Sequence, residues 1–325
     1  LQKELFVSIK NALPAHISLV DVLAELLNIS YDSVYRRIRG EKPISLKELK
    51  VLCEHFHLSL DQLLQVENDT VVFNAPEINE ADPDFREYLK GVLQQMKYFN
   101  SFAKREMLYQ CKDAPVFYFY LFPEIGAFKT FCWVKTVLNY SEYQDKIFSL
   151  DAFPFEECNQ IGQQIIKEYN NLPSTELWNL ETLNSTINQL EYYRDAGLFK
   201  TNEDFIKVLD SFDKMLSHLQ EQANLALKFM PGASDKAHKG HFKFFINEVI
   251  LGNNTFICEL DNQRLSIITY NALNYLITKD ERFGKRLLHG FNTLVSRSTL
   301  ISGSGEKERN KFFKIQREKI AHLKK

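Results

Sequence analysis

The stretch from Ser30 to Gly40 carries the side chains best suited to chemistry, and that chemistry is contact with base edges. If the stretch is helical, its N-terminal outward face presents Tyr31, Asp32, Tyr35 and Arg36. An arginine is able to pair with guanine through two hydrogen bonds, and a short helix behind a tight turn fits the major groove. We therefore predict that these four residues contact bases of double-stranded DNA.

A second group of side chains is suited to holding the DNA backbone without reading its sequence. Basic residues near the end of this helix and after it outnumber Glu41 and Glu48. Their charge would neutralise phosphates and make binding salt-sensitive. The predicted phosphate contacts are Ser18, Ser33, Arg37, Arg39 and Lys42.

Signatures of catalysis and of metal binding are weak. His238 and His241 lie three residues apart, but Gly240 lies between them and no cysteine or carboxylate run completes a metal site. The glycines near Ser302 lack the spacing of a phosphate-binding loop. The five cysteines are far apart and fit free thiols in a reducing compartment. We expect no enzymatic activity, no cofactor and no metal.

Three serine-initiated helices must position the outward face of the Ser30 helix. Ser18 with Asp21, and Ser45 with Glu48, have the spacing of a capping box. Ser30 opens the middle helix, and the glycine at position 40 ends it because glycine readily takes positive φ. A first helix over 3–13 and a fifth helix would complete a compact cluster, the fifth through Leu60, Leu63 and Leu64.

On these features the first fifth of the chain resembles the helix-turn-helix domain of lambda-repressor-like (Xre-type) transcription regulators. Arg37 and Ile38 stand where that family usually has an apolar and then an acidic residue, which leaves room for the contacts to shift by one position. The resemblance implies a five-helix DNA-binding domain. The matching residues are Leu23, Ala24, Leu27, Ser30, Ser33, Val34, Gly40, Leu49 and the run 59–63.

The chain has 325 residues and a formal net charge of −2, so we expect two or three domains and only local contact with DNA. An acidic, proline-bearing linker is predicted at 67–84. It separates the helix-turn-helix domain at 1–66 from a helical region at 85–230. An α+β region for sensing or dimerisation follows at 231–325.

The predicted fold class is mainly α, a five-helix lambda-repressor-like domain followed by a large helical region with a small antiparallel β meander. Beyond the linker, helices are predicted over 85–108, 128–138, 156–169, 177–193, 205–229, 271–277, 281–296 and 306–323. The meander would use strands at 242–251, 255–260 and 265–270. A tetratricopeptide-like stack is the alternative for the helical region, although no 34-residue signature is present.

Two further segments leave alternatives open. The aromatic run 117–133 would be core or would line an apolar ligand pocket. Glu124, Lys129 and Lys135 make a membrane span costly there. The net-basic stretch 307–325 would be a docked surface helix, a second DNA contact or a dimerisation helix.

The sequence thus indicates a cytoplasmic, DNA-binding transcription regulator. A homodimer is expected, because one short helix offers too little contact for specific binding. The remainder of the chain would sense an unknown small-molecule ligand or assemble the dimer. The alternatives are a protein-interaction scaffold whose helix-turn-helix domain no longer binds DNA, and a phage-type repressor or antitoxin.

Overall fold

A computed structural model describes residues 2–14, 16–56, 58, 70–75, 84–233, 241–249, 252–270 and 273–324. Its buried side chains form a small core in the first 58 residues and a much larger one from residue 85 onward. We call the parts built around these two cores the head and the body.

The head is built from four described helices: α1 (Gln2–Ala12), α2 (Leu19–Leu27), α3 (Tyr31–Arg39) and α4 (Leu46–Phe56). Each contributes apolar side chains to one core, in which Ile9, Leu23, Val34 and Leu52 are almost fully buried. The three serine-initiated helices are confirmed. The predicted fifth helix, with Leu60, Leu63 and Leu64, lies outside the described residues.

The body combines seven helices with seven strands among the described residues. The helices are α5 (Phe85–Asn100), α6 (Pro123–Cys132), α7 (Glu156–Asn170), α8 (Asn184–Asp195), α9 (Asn202–Leu225), α10 (Glu281–Ser296) and α11 (Glu306–Leu323). The strands are β1 (Arg105–Gln110), β2 (Ser174–Trp178), β3 (Phe242–Ile246), β4 (Thr255–Leu260), β5 (Gln263–Thr269), β6 (Tyr275–Thr278) and β7 (Thr299–Leu300).

The strands form a single mixed sheet in the order β6-β5-β4-β1-β2-β3-β7. β2 is parallel to both of its neighbours, β1 and β3, and the remaining neighbouring pairs are antiparallel. Parallel pairs need long crossovers, which here contain α6 and α7 between β1 and β2, and α8 and α9 between β2 and β3. Most body helices cover one face, while α10 packs Phe291 against the other.

The predicted fold class is wrong, since a seven-stranded mixed sheet replaces the small antiparallel meander. β1 overlaps the end of the predicted helix 85–108, and β2 overlaps the first two residues of the predicted helix 177–193. β6 likewise falls in the predicted helix 271–277. The antiparallel meander is β4-β5-β6, because β3 pairs with β2 instead. The tetratricopeptide-like alternative fails for the same reason.

Contacts at Phe73, Asn74 and Tyr98 join the body to segments that precede it. The backbone of Asn74 exchanges two hydrogen bonds with Ile277 of β6, at 2.7 and 2.8 Å. Tyr98 of α5 donates its hydroxyl to the carbonyl of Ala12 in α1 at 3.1 Å, and Gln263 of β5 donates to the same hydroxyl at 3.1 Å. α5 therefore contacts the head through the hydroxyl of Tyr98.

None of the described helices is both long enough and apolar enough to cross a membrane. Most of the aromatic run 117–133 lies in the core, which was one of the two alternatives predicted for it. Tyr118, Tyr120 and Phe128 are fully buried.

Candidate nucleic-acid interface

Side-chain hydrogen bonds cap the N-terminal ends of α2 and α3. The Ser18 hydroxyl accepts from the Asp21 amide at 3.3 Å and so caps α2, which ends at Asn28 with φ of 52°. The Ser30 hydroxyl accepts from the Ser33 amide at 3.4 Å and caps α3. These caps satisfy backbone groups that a short helix would otherwise leave unpaired, and so set where α3 begins.

The four predicted base contacts share the solvent face of α3. Tyr31 and Tyr35 are 57% and 48% exposed, unusual for large rings, and they lie one turn apart. Asp32 and the Arg36 side chain, which is 51% exposed, follow at the same spacing beside them. Positions i and i+4 lie on one helix face, so the structure brings these four side chains together.

Arg37 is placed differently from its prediction as a phosphate contact. It is only 5% exposed and lies on the inner face of α3, one turn after Val34. Its guanidinium donates to Glu48 of α4 at 2.6 Å and to the Ser33 carbonyl at 3.0 Å. Arg37 thus joins α3 to α4. It occupies an inward position that is usually apolar in the lambda-repressor-like family, so the inward-facing positions of α3 are not shifted.

Glu48 combines this ion pair with a complete capping box. Its carboxylate accepts from the Ser45 amide at 2.9 Å, and the Glu48 amide donates to the Ser45 hydroxyl at 3.2 Å. Burial raises the pKa of Glu48, but hydrogen bonds from Ser45 and Arg37 outweigh it and hold the pKa below its usual value. An ionised Glu48 is what the buried Arg37 requires.

The remaining predicted phosphate contacts are exposed or half-buried. Arg39 donates to Glu41 at 2.6 and 3.0 Å, and this hydrogen bonding lowers the pKa of Glu41. Lys42 follows on the exposed loop. Ser18 is exposed, whereas the half-buried Ser33 hydroxyl accepts a hydrogen bond from Ser30 at 3.2 Å. Glu41 therefore competes with phosphate for Arg39.

Sequence reasoning missed Gln2 of α1, which fixes the loop after α3. Its side-chain amide donates to the carbonyls of Arg37 at 2.7 Å and Lys42 at 2.8 Å, and accepts from the Ile44 amide at 3.1 Å. The only sequence signal is a polar residue at the start of an amphipathic helix, which is too common to assign such a role.

The net-basic stretch 307–325 docks on the body by its apolar side, which buries Phe312, Phe313 and Ile320. Lys324 pairs with Asp210 of α9 at 2.6 Å, and Arg317 lies 3.5 Å from Asp213. Two basic side chains of this stretch, Arg317 and Lys324, are therefore paired with acidic residues of α9.

Residues 15–82 match the BetR domain, a helix-turn-helix-type DNA-binding family. The match covers about a fifth of the chain, and it contains α2, α3 and α4. Searches of curated proteins and of solved structures returned no significant match.

Proposed function

We propose that the chain is a cytoplasmic transcription regulator whose head reads a specific DNA sequence as a lambda-repressor-like (Xre-type) domain. The observation that carries this proposal is the solvent face of α3, where two exposed tyrosines, Asp32 and Arg36 lie together within a match to a DNA-binding family. The proposal assigns the chain no enzymatic activity.

In this arrangement α3 enters the major groove, and its four outward side chains contact base edges. Arg39 at the end of α3 and Lys42 on the loop after it hold the DNA backbone beside the groove. The guanidinium of Arg39 exchanges Glu41 for phosphate when DNA arrives, because both partners are exposed and their ion pair is weak in water.

The regulator acts as a homodimer on a two-fold site. A single head presents one recognition helix of nine residues, whereas specific protein–DNA interfaces bury about 1,000–2,500 Å² of protein surface. Two heads spaced by one helical turn of DNA reach that range. The body, which has its own large core, assembles the dimer and senses a small molecule.

The test is selection of a DNA consensus by the full chain and by Arg36→Ala. Loss of a two-point guanine contact removes roughly 1–3 kcal/mol of discrimination, so the consensus should relax at one position of each half-site. Lys214→Ala, which removes an exposed cation from α9 of the body, is the charge-matched control and should leave the consensus unchanged.

Two results would contradict the proposal. An unchanged consensus in Arg36→Ala would remove Arg36 from the set of base contacts. Failure of the full chain to bind any DNA at low salt would favour the protein-interaction scaffold, since even non-specific binding is strong when few counterions compete.

A further inference from the structure

The body contains a cavity of about 140 Å³ between α5 and the sheet. Its lining includes Asp113 and Ala114, which follow the C-terminal end of β1. In sheets with parallel strands, ligands commonly bind at these carboxyl ends. An engineered cavity of about 150 Å³ binds benzene, so this one accommodates an organic body the size of a single ring.

The walls of the cavity are mainly apolar and aromatic. α5 contributes Val92, Met96 and Phe99, and the sheet contributes Phe256 and Ile267. Such surfaces favour an apolar ligand body, because its burial removes apolar area from water on both sides.

A buried cation, Lys129 of α6, lies in the wall of this cavity. It is only 3% exposed, and its ammonium donates to the Thr186 hydroxyl at 3.2 Å and to the Gln189 amide oxygen at 2.6 Å. The ammonium also lies 4.6 and 5.0 Å from the ring centres of Phe119 and Trp133. An ammonium has three N–H donors, so one remains after these two hydrogen bonds.

The charge of Lys129 is only partly compensated. Within the described part of the chain, no carboxylate lies within ion-pairing distance of its ammonium, its hydrogen-bond partners are neutral, and Asp113 acts on it only at longer range. Burial lowers the pKa of Lys129 to about 8, so the side chain remains mostly protonated at neutral pH. A buried charge without an ionic partner is costly, and an anion brought by a ligand would stabilise it.

Asp113, half-buried at the same cavity, limits how much negative charge the ligand carries. Burial raises the pKa of its carboxyl, while Lys129 and Lys112 lower it. A second anionic group on the ligand would lie in the same cavity as this carboxylate and be repelled. The site therefore favours a ligand with a single negative charge.

We propose that this cavity binds a small monocarboxylate whose apolar body is the size of one aromatic ring, with its carboxylate paired to Lys129. The same ligand is the effector of the regulator, a statement that rests on the function proposed above.

α5 provides the physical link from the cavity to the head. The helix lines the cavity through Tyr88, Val92, Met96 and Phe99, and its Tyr98 holds the Ala12 carbonyl of α1. A ligand that displaces α5 would therefore shift or break that hydrogen bond. Such a change alters the balance between arrangements of the two heads, which is how a ligand shifts a population.

The test is titration calorimetry of the full chain with three probes of one shape: phenylacetate, its neutral amide phenylacetamide, and the cation phenethylamine. We expect phenylacetate to bind, phenylacetamide to bind about 10- to 100-fold more weakly, and phenethylamine not to bind. A charge-assisted hydrogen bond contributes roughly 1.5–3 kcal/mol, which corresponds to that range.

Variants test the charge of Lys129 and the volume of the cavity separately. Lys129→Met should weaken phenylacetate by about 10- to 100-fold, whereas Lys112→Met, which removes an exposed cation nearby, should change the affinity less than threefold. Val92→Phe fills the cavity while keeping Lys129, and it should abolish binding even if Lys129→Met fails to fold.

The proposal is overturned if phenethylamine binds and phenylacetate does not, if none of the probes binds, or if folded Lys129→Met binds phenylacetate as the parent chain does. Calorimetry contains no DNA, so these results are independent of the regulator function. A gel shift with and without phenylacetate then tests the effector role. Phenylacetate binding that leaves DNA affinity unchanged would overturn that role alone.

Discussion

At the residue scale, Arg37 and Arg39 show how two arginines on one helix take different tasks. They differ by two positions, so one points into the head and the other into solvent. The buried guanidinium of Arg37 pairs with Glu48, while Arg39 pairs with the exposed Glu41. The sequence alone predicts that both arginines contact phosphate, and only the burial of Arg37 in the structure distinguishes their roles.

Arg37→Met should destabilise the head by roughly 1.5–3 kcal/mol, because it removes a charge-assisted hydrogen bond and leaves the partly exposed Glu48 without its charged partner. The protection of the α3 and α4 backbone amides against hydrogen–deuterium exchange, measured by mass spectrometry, should fall accordingly. The control Arg39→Met, which removes an exposed pair, should leave protection nearly unchanged. Full protection in Arg37→Met combined with weaker DNA binding would return Arg37 to the phosphate contacts.

The affinity for phenylacetate should fall as pH rises through about 8. Carboxylate binding favours protonated Lys129, whose pKa is about 8 in the free chain, so the affinity is constant near pH 6–7 and then declines by up to tenfold per pH unit. Asp113 and Cys132 are the other titratable groups acting on Lys129. Calorimetry between pH 6 and 9.5 measures the profile, and a rise in affinity with pH would contradict the assigned ion pair.

At the element scale, local signals identified most helices and the strands β3, β4 and β5, but they missed β1, β2, β6 and β7. The predictions for 281–296 and 306–323 match α10 and α11 at both ends, because capping and apolar spacing are encoded locally. β2 reads Ser-Thr-Glu-Leu-Trp, and all five residues are buried. Its central Glu176 does not suggest a buried strand, because the donors that satisfy it, Tyr118, Tyr169 and Trp178, lie mostly on other elements.

The candidate interface was more predictable than the fold of the body. The exposed residues of α3 follow from helix period and cap position, which a short sequence contains. The cavity in the body draws its lining from strands and helices far apart in the chain. A pocket lined by the aromatic run 117–133 was one of two alternatives predicted from the sequence. The hydrogen-bond partners of Lys129 could not be predicted, because they lie on α8, which only the crossover connection places beside α6.

Because α7 packs closely on the 3₁₀ helix Val116–Leu121, we expect two glycine-to-alanine variants in helices of the body to have opposite effects on stability. A Cβ at Gly162 would lie 2.1 Å from the ring of Tyr120, whereas a Cβ at Gly91 in α5 would meet nothing within 4 Å. Gly91→Ala should therefore stabilise the body by about 1 kcal/mol, as alanine does in helices. Gly162→Ala should destabilise it by about 1–3 kcal/mol through overpacking.

Both glycines lie in helices of the body, so denaturant unfolding followed by tryptophan fluorescence measures both variants. The two tryptophans, Trp133 and Trp178, are buried in the body core. Equal shifts of the two midpoints in the same direction would show that Tyr120 does not occupy the space beside Gly162.

At the scale of the whole molecule, the separate cores of head and body predict that the head folds alone. A fragment of residues 1 to about 70 keeps the described head core, including Ile9, Leu23 and Leu52. We expect it to be monomeric and to bind an operator roughly 100-fold more weakly than the full chain, because linking two reading heads raises their effective concentration.

Light scattering and a gel shift on both proteins test this expectation. The same DNA affinity for fragment and full chain, with the full chain monomeric, would remove both the dimer and the control by the body. A fragment that fails to fold would instead show that the head depends on the rest of the chain for its stability.

The strand order has a consequence for synthesis on the ribosome. β1 pairs with β4, so its edge stays open until residues 255–260 have emerged, long after Phe56 completes the last described helix of the head. At about 5–20 residues per second, that interval lasts roughly 10–40 s. Under the proposed function, a nascent chain would thus present the described helices of its head while the body proposed to govern them is still unformed. Any promoter close to its translating ribosome would meet that head before control by the body exists.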